Sequence, residues 1–402
     1  MQLVKQLIIM PFLFFSTTAF CQDTDSSKTK TTLRPYTKEV KANFLNSYYE
    51  QDGNNGAVTG GTGTELLSNI GSVITVHIPL DSTRAIAIYT GADNYSSAST
   101  DNIDNNMSSE SSSDIRGFAT VTLNKLNLKK NEVYSLKAGF STEYDYTSFS
   151  TGGSYTKEFN NANSEISISG QAFFDNWSLI YPIELRGNVN LPSAGRQSYN
   201  SQVQFSQVIN KRLQTGVSAE VIYMTGLLST PFHRVYFADQ SLPDIERLPS
   251  TRLKTPIALR LNYYPIDKLV LRGYYRYYKD DFGIEGHTTE LELPFKLTSS
   301  ITLSPFYRHH TQTASTYFAP YKTHLSTETF YTSDYDLSNL SSQKIGVGIK
   351  YYPIYGLLRS KKFGKNKRYI ILESLDFRAS YYSRSTGLTA YIGSLNAAFS
   401  LK

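Results

Sequence analysis

Cysteine is nearly absent: Cys21 stands alone, beside one tryptophan and four methionines in 402 residues. Loss of the first 21 residues would leave no thiol, and with it no disulfide and no thiolate chemistry, although export permits disulfides. Long apolar runs are missing too. A membrane helix needs about 20 consecutive apolar residues, and none follows the N-terminal stretch. The G-x-S-x-G and H-E-x-x-H motifs do not occur, so the common hydrolase and metalloprotease signatures are excluded. No repeat of roughly 20–50 residues is strong enough for a solenoid or propeller. The one dense basic run is RSKKFGKNKR at 359–368, and the formal net charge is +6. That run reads as a solvated or phosphate-facing turn, and no nucleic-acid partner is expected of an exported chain.

What the chain does have is aromatic residues, with 31 Tyr and 22 Phe. Hydrophobic content is only 40% and mean hydropathy is −0.34. Aromatic and β-branched residues suit pleated strands. A membrane barrel alternates apolar outward with polar inward residues, so its average hydropathy looks soluble. The first 21 residues read as a signal peptide. Lys5 gives the positive region, Leu7 to Phe15 the apolar one, and Ala19-Phe20-Cys21 fits cleavage before Gln22. Acylation of Cys21 is the alternative, and bulky Phe20 argues against it. Residues 22–37, rich in Ser, Thr, Lys and Asp, read as a disordered periplasmic lead-in to a barrel over 38–402.

From Val40 onward the chain is a succession of alternating segments, about 16 in number, with 14–18 as the range. In 256–264, Ile257, Leu259, Leu261 and Tyr263 oppose Ala258, Arg260 and Asn262. In 342–352, Ile345, Val347 and Ile349 oppose Lys344, Gly346, Gly348 and Lys350. A period of two with this polarity is a strand with one apolar face. Connection lengths also alternate. Short ones lie at 80–83, 127–131, 210–212, 265–267 and 297–300; long ones lie near 50–68, 92–113, 175–196, 225–250 and 313–341, although two on the long side, near 144–147 and 281–286, are short. Short periplasmic turns opposite long extracellular loops are a feature of outer-membrane barrels. The connection 354–369 is long on the short side, where a missed strand would break the parity. YYPI, at Tyr263–Ile266 and again at Tyr351–Ile354, falls at periplasmic strand ends, and Tyr277, Tyr278, Tyr381 and Tyr382 fall at outer ends.

The face opposite the apolar one carries Arg260, Arg272, Arg276, Glu290, Glu292, Arg308, His310, Lys350, Asp376 and Arg378. An Arg or Lys facing lipid at mid-depth costs about 2–4 kcal/mol, so this face must line the lumen. Two readings stand. The charges select solutes at a constriction, or they pair and fill a closed barrel. The loop 225–250 mixes Phe232, His233, Tyr236 and Phe237 with Asp239, Asp244 and Glu246, and either constricts the mouth or caps it. The polar loop 93–114 lacks EF-hand spacing. A metal pair of His287 with His310 is conceivable, but unrelated polar strand-end residues are the simpler reading. No metal, no cofactor and no catalytic residues are expected.

Between Leu248 and Leu337 the chain contains ALRLNYYPIDKLVLRGYYRYYKDDFG, HTTELELPFKL, LSPFYRHHTQTASTYFAPY and FYTSDYDLS. This stretch, and more loosely TGADNYSSASTDNID, resembles the domain of unknown function 3570 family of Gram-negative outer-membrane proteins. The histidine pair in Arg308-His309-His310 departs from the family pattern. The resemblance implies an outer-membrane barrel with no assigned reaction, and a link to periplasmic redox or flavin-bearing partners. The expectation is therefore an all-β, transmembrane, up-and-down antiparallel barrel, not an enzyme. It would contact outer-membrane lipid and the barrel-assembly machinery and pass small solutes. A non-conducting docking protein is the alternative. A lipid-modifying enzyme would need a Ser/His/acid cluster that the sequence does not offer.

Overall fold

In a computed structural model the chain closes into one antiparallel β-barrel; the structure describes residues 32–98, 113–186, 192–353 and 369–401. The strands are β1 (Val40–Asp52), β2 (Leu66–Pro79), β3 (Arg84–Ala98), β4 (Asp114–Asn127), β5 (Glu132–Thr142), β6 (Tyr146–Phe159), β7 (Ser164–Ser178), β8 (Ser193–Asn210) and β9 (Leu213–Gly226). They continue with β10 (Thr251–Lys254 and Ile257–Ile266), β11 (Leu269–Lys279), β12 (Glu285–Glu292 and Phe295–Lys296) and β13 (Ile301–Gln312). The last are β14 (Leu340–Tyr351), β15 (Ile370–Arg384) and β16 (Thr389–Leu401). The sheet has 18 hydrogen-bonded segments, and two pairs of them are halves of one strand, leaving 16 strands. The interruptions fall at Pro256 and Pro294, which have no N–H to give the ladder. Their carbonyls still accept from Glu220 N (3.0 Å) and Val270 N (3.0 Å).

Each strand pairs with the next, and β1 pairs with β16 from Val40↔Leu401 to Asp52↔Thr389, so no edge is left. Sixteen strands about 4.8 Å apart and tilted about 40° make a cylinder roughly 30 Å across. The short connections collect at one end, where Asn160 and Asn161 take left-handed backbone in a tight turn. The long connections collect at the other. The parity holds at the doubtful point. β14 pairs β15 directly, from Ser342↔Arg384 to Tyr351↔Leu375, so no wall strand stands between them; most of 354–369, with the basic run, lies outside the described residues. So do the signal-peptide reading, most of the lead-in, and the greater part of the 93–114 loop. The lead-in's last residues lie along the short-turn rim. Thr32 N donates to Asn131 Oδ1 (2.9 Å) and Tyr36 N to Ser82 O (2.9 Å).

The two faces of the wall differ as the alternation requires. Leu136 is 69% exposed and Ile345 61%, both on the outward face, whereas inward Ala258 is 7% exposed. Such a leucine-, isoleucine- and phenylalanine-covered exterior is the surface that hydrocarbon would favour. Aromatic rings ring it at both ends. Tyr134–Tyr155 (5.3 Å) and Phe159–Phe205 (6.3 Å) sit near the short turns; Phe174–Tyr199 (6.4 Å) and Tyr381–Tyr391 (5.3 Å) sit near the long loops. Pro265 is tolerated inside β10 by a register shift between Tyr263 and Ile266.

Candidate functional site

One wall of the lumen is charged. The ten predicted residues share one face, as their pairing register shows: Arg260↔Tyr274, Asn262↔Arg272, Arg276↔Thr288, Glu290↔Arg308, Arg272↔Glu292, Thr288↔His310, Lys350↔Asp376 and Gly348↔Arg378. The contact of Arg378 on β15 with Glu292 on β12 marks that face as the concave one. Lys344 joins them opposite Arg308. On β10 to β15 the same face carries the basic side chains Arg260, Arg272, Arg276, Arg308, Lys344, Lys350 and Arg378, joined towards its ends by Arg252, Lys254, Lys296 and Arg384. It holds three acidic ones, Glu290, Glu292 and Asp376. Arg308 pairs with Glu290 (2.5 Å), Arg272 and Arg378 share Glu292 (3.1 and 2.8 Å), and Arg378 Nε lies 3.6 Å from Asp376.

The pairs run along the wall. Arg272–Glu292 and Arg308–Glu290 join adjacent strands, and Arg378–Glu292 spans from β15 to β12. That longer reach depends on Gly346 and Gly348. A Cβ on Gly346 would lie 2.5 Å from Phe306 Cζ, and one on Gly348 would meet Arg378 Cγ at 3.3 Å. The glycines leave a trough in which the Phe306 ring and the Arg378 side chain lie flat, with the guanidinium 5.9 Å from the ring centre. Among the described residues no ion pair crosses from this wall to β2–β8. The facing surface of β6–β8 is hydroxyl- and amide-lined, with Ser150, Ser169, Gln171, Asn200 and Gln202.

The two histidines separate. His310 faces the lumen, 2.9 Å from Thr288 Oγ1 and 3.2 Å from Gln312 Oε1. His287 faces outward and its Nδ1 lies 2.7 Å from the Tyr275 hydroxyl. Adjacent positions Thr288 and His287 point to opposite faces, so a His287/His310 metal pair is ruled out.

The long-loop end is covered by a cap. In the loop 227–250, Arg234–Val235 pairs with Asp244–Ile245 as a small ribbon. The loop 313–339 adds to it: Arg247 and Tyr331 exchange two backbone hydrogen bonds (3.0 and 2.7 Å), and Ala238 N donates to His324 O (2.8 Å). Val235, Phe237 and Tyr331 form the ribbon's apolar centre. The loop between β1 and β2 reaches in from eight strands away, the opposite side of a sixteen-strand ring. Its Val58 packs with Ile180 and Phe232. Arg234, 2% exposed, donates to Val58 O (2.8 Å) and pairs with Glu184 of the β7–β8 loop (2.5 Å). Loops from opposite walls touch only if they meet over the lumen. Arg384 of β15 anchors the cap through Asp336 (2.5 Å).

Cap electrostatics are tightly matched. The Arg234 guanidinium holds Glu184 below its ordinary value against the effect of burial. Hydrogen bonds from Ser326 do the same for Asp239. For Glu328, burial pushes upward, but the Leu325 amide and His324 outweigh it. Tyr331 is pushed up to about 12 by burial and its hydrogen bond to Asp244. The cap also gathers three metal-ligating side chains, His233, Glu246 and Asp334, with donor atoms all within 4.8 Å of one another. The sequence flagged His233 and Glu246 within one loop, but nothing in the spacing tied Asp334 to them.

The family described as "Protein of unknown function (DUF3570)" matches residues 16–356. The chain belongs to that family. No curated protein matches it. Among solved structures it is similar to a bacterial polysaccharide outer membrane secretin, at 10% identity and TM-score 0.46, over 89% of this chain and 97% of that one. The ferric enterobactin receptor PfeA of Pseudomonas aeruginosa has 11% identity and TM-score 0.46 over 87% of this DUF3570 chain, which spans 54% of the receptor. OpdK of Pseudomonas aeruginosa, solved with vanillate, has 6% identity and TM-score 0.40 over 90% and 98% of the two chains.

Proposed function

We propose that this DUF3570 protein is an outer-membrane channel that passes small anionic solutes along the basic wall of β10–β15, with its long loops on the cell exterior. The observation that carries the reading is the surplus of basic over acidic side chains on one lumenal wall. Their ion pairs, Arg272–Glu292, Arg308–Glu290, Arg378–Glu292 and Arg378–Asp376, run along the wall. Fixed charge lining a confined aqueous path raises the local concentration of counter-ions and selects by sign. The cap over the mouth then acts as the gate.

Planar-bilayer recording with a salt gradient tests this. The reversal potential is expected to show anion preference, and Arg272→Glu with Arg308→Glu is expected to shift it towards cations. The second reading, a non-conducting docking protein, is favoured by the interlocked cap itself. A chain with 227–250 replaced by a short linker decides between them: silence in that variant, folded and inserted, overturns the channel reading.

A further inference from the structure

The cap contains a site that the channel reading does not use. His233 and Glu246 face each other across the ribbon. Glu246 N donates to His233 O (2.9 Å), and His233 Nδ1 lies 3.7 Å from Glu246 Oε1. Both side chains are buried. Asp334 arrives from the other cap loop, and one donor atom from each residue falls within 4.8 Å of the others. Donors about 2.1 Å from a tetrahedral ion lie about 3.4 Å from one another. His233 Nδ1 and Glu246 Oε1, 3.7 Å apart, are near that spacing, and the Asp334 carboxylate must close by at most about 1.4 Å to join them.

Both carboxylates are already oriented. Glu246 accepts from Thr332 Oγ1 (2.5 Å) and from Thr230 N (2.6 Å), and Asp334 accepts from Asp336 N (2.8 Å). Such donors fix metal-ligating carboxylates while leaving lone pairs for the ion. The charge balance points the same way. Among the described residues neither Glu246 nor Asp334 makes an ion pair with Lys or Arg. Arg252 is taken by Asp280 (2.5 Å) and Arg384 by Asp336 (2.5 Å), and Lys254, in the same cavity, pairs with neither carboxylate. Two carboxylates and one imidazole gathered in a buried pocket are a donor set whose desolvation a divalent cation offsets. The adjoining cavity, about 50 Å³ and lined by Thr230, Glu246 and Asp334, has room for a water ligand.

We propose that His233, Glu246 and Asp334 bind a first-row divalent cation, Zn²⁺ above all, which fastens the two halves of the cap together. One nitrogen and two carboxylate donors suit Zn²⁺ better than Ca²⁺ or Mg²⁺, which take oxygen ligands. The site stands whether or not the barrel conducts.

The test uses the folded full chain in detergent, stripped with EDTA and titrated with Co²⁺ as a spectroscopic probe and Zn²⁺ as competitor. About one equivalent of Co²⁺ is expected to bind with the visible absorption of a nitrogen- and oxygen-ligated ion, displaced by Zn²⁺. His233→Asn and Asp334→Asn are each expected to weaken binding at least about tenfold, with folding verified by heat-modifiable gel migration. Zn²⁺ is expected to slow proteolysis of 227–250 in the parent chain and not in His233→Asn. Absence of the Co²⁺ spectrum in the parent, or its persistence unchanged in both folded variants, overturns the assignment.

Discussion

At the scale of single residues, absence of side chain shapes the charged wall as much as charge does. Gly346 faces Phe306 Cζ at 2.5 Å and backbone Ala379 O at 2.6 Å from where its Cβ would stand. Gly346→Val is therefore expected to cost about 1–3 kcal/mol through overpacking, read as a lower urea midpoint in lipid vesicles. Gly60 is constrained differently. Its φ is +80° and its Cβ would meet Tyr236 Cδ2 at 2.6 Å. Gly60→Ala is expected to loosen the cap, with left-handed backbone alone costing about 1–2 kcal/mol, seen as faster proteolysis of 227–250 without loss of the barrel. The sequence made the inward set legible because period-two alternation assigns each side chain a face without knowing its neighbour. It did not disclose which Arg meets which Glu. Register and the Gly346/Gly348 trough decide that, and both depend on neighbouring strands.

At the scale of elements, the strands and the loops obey different rules. Strands could be placed from alternation, proline and connection length, and even the 354–369 ambiguity resolved as the parity required. The cap loops 53–65, 179–186, 227–250 and 313–339 carry no such period, and contacts such as Arg234–Glu184 join segments that only barrel closure brings together. Three of their carboxylates contribute a pH dependence of one sign. Glu184, Asp239 and Glu328 are held below their ordinary values in the folded cap. Carboxylates lowered in this way stabilise fully above the unfolded value, near about 4.3 for Glu and 3.9 for Asp. That stability fades as pH falls through the lower folded values. Hydrogen exchange of the cap amides is expected to be slow at neutral pH and to quicken on acidification below the ordinary carboxylate range, while the wall strands stay protected. Equal protection of the cap on both sides of that range would refute it.

At the scale of the whole molecule, the solvent around the cylinder is the governing variable. Leu136 stands 69% exposed near the middle of β5. In hydrocarbon Leu136→Arg is expected to cost about 2–4 kcal/mol; in water a surface substitution costs within about 0.5 kcal/mol. Unfolding in vesicles measures the difference, and a near-zero value would remove the membrane from the account. The pairing of β1 with β16 sets a condition on how the cylinder is built. The seam joins the first strand to the last, so no partial chain can be a finished ring, and every nascent form keeps two unsatisfied borders open to other chains. The ring is thus complete only when the final strand meets the first, and the lid over the mouth, whose pieces hang from opposite arcs, takes its finished form with the closed cylinder.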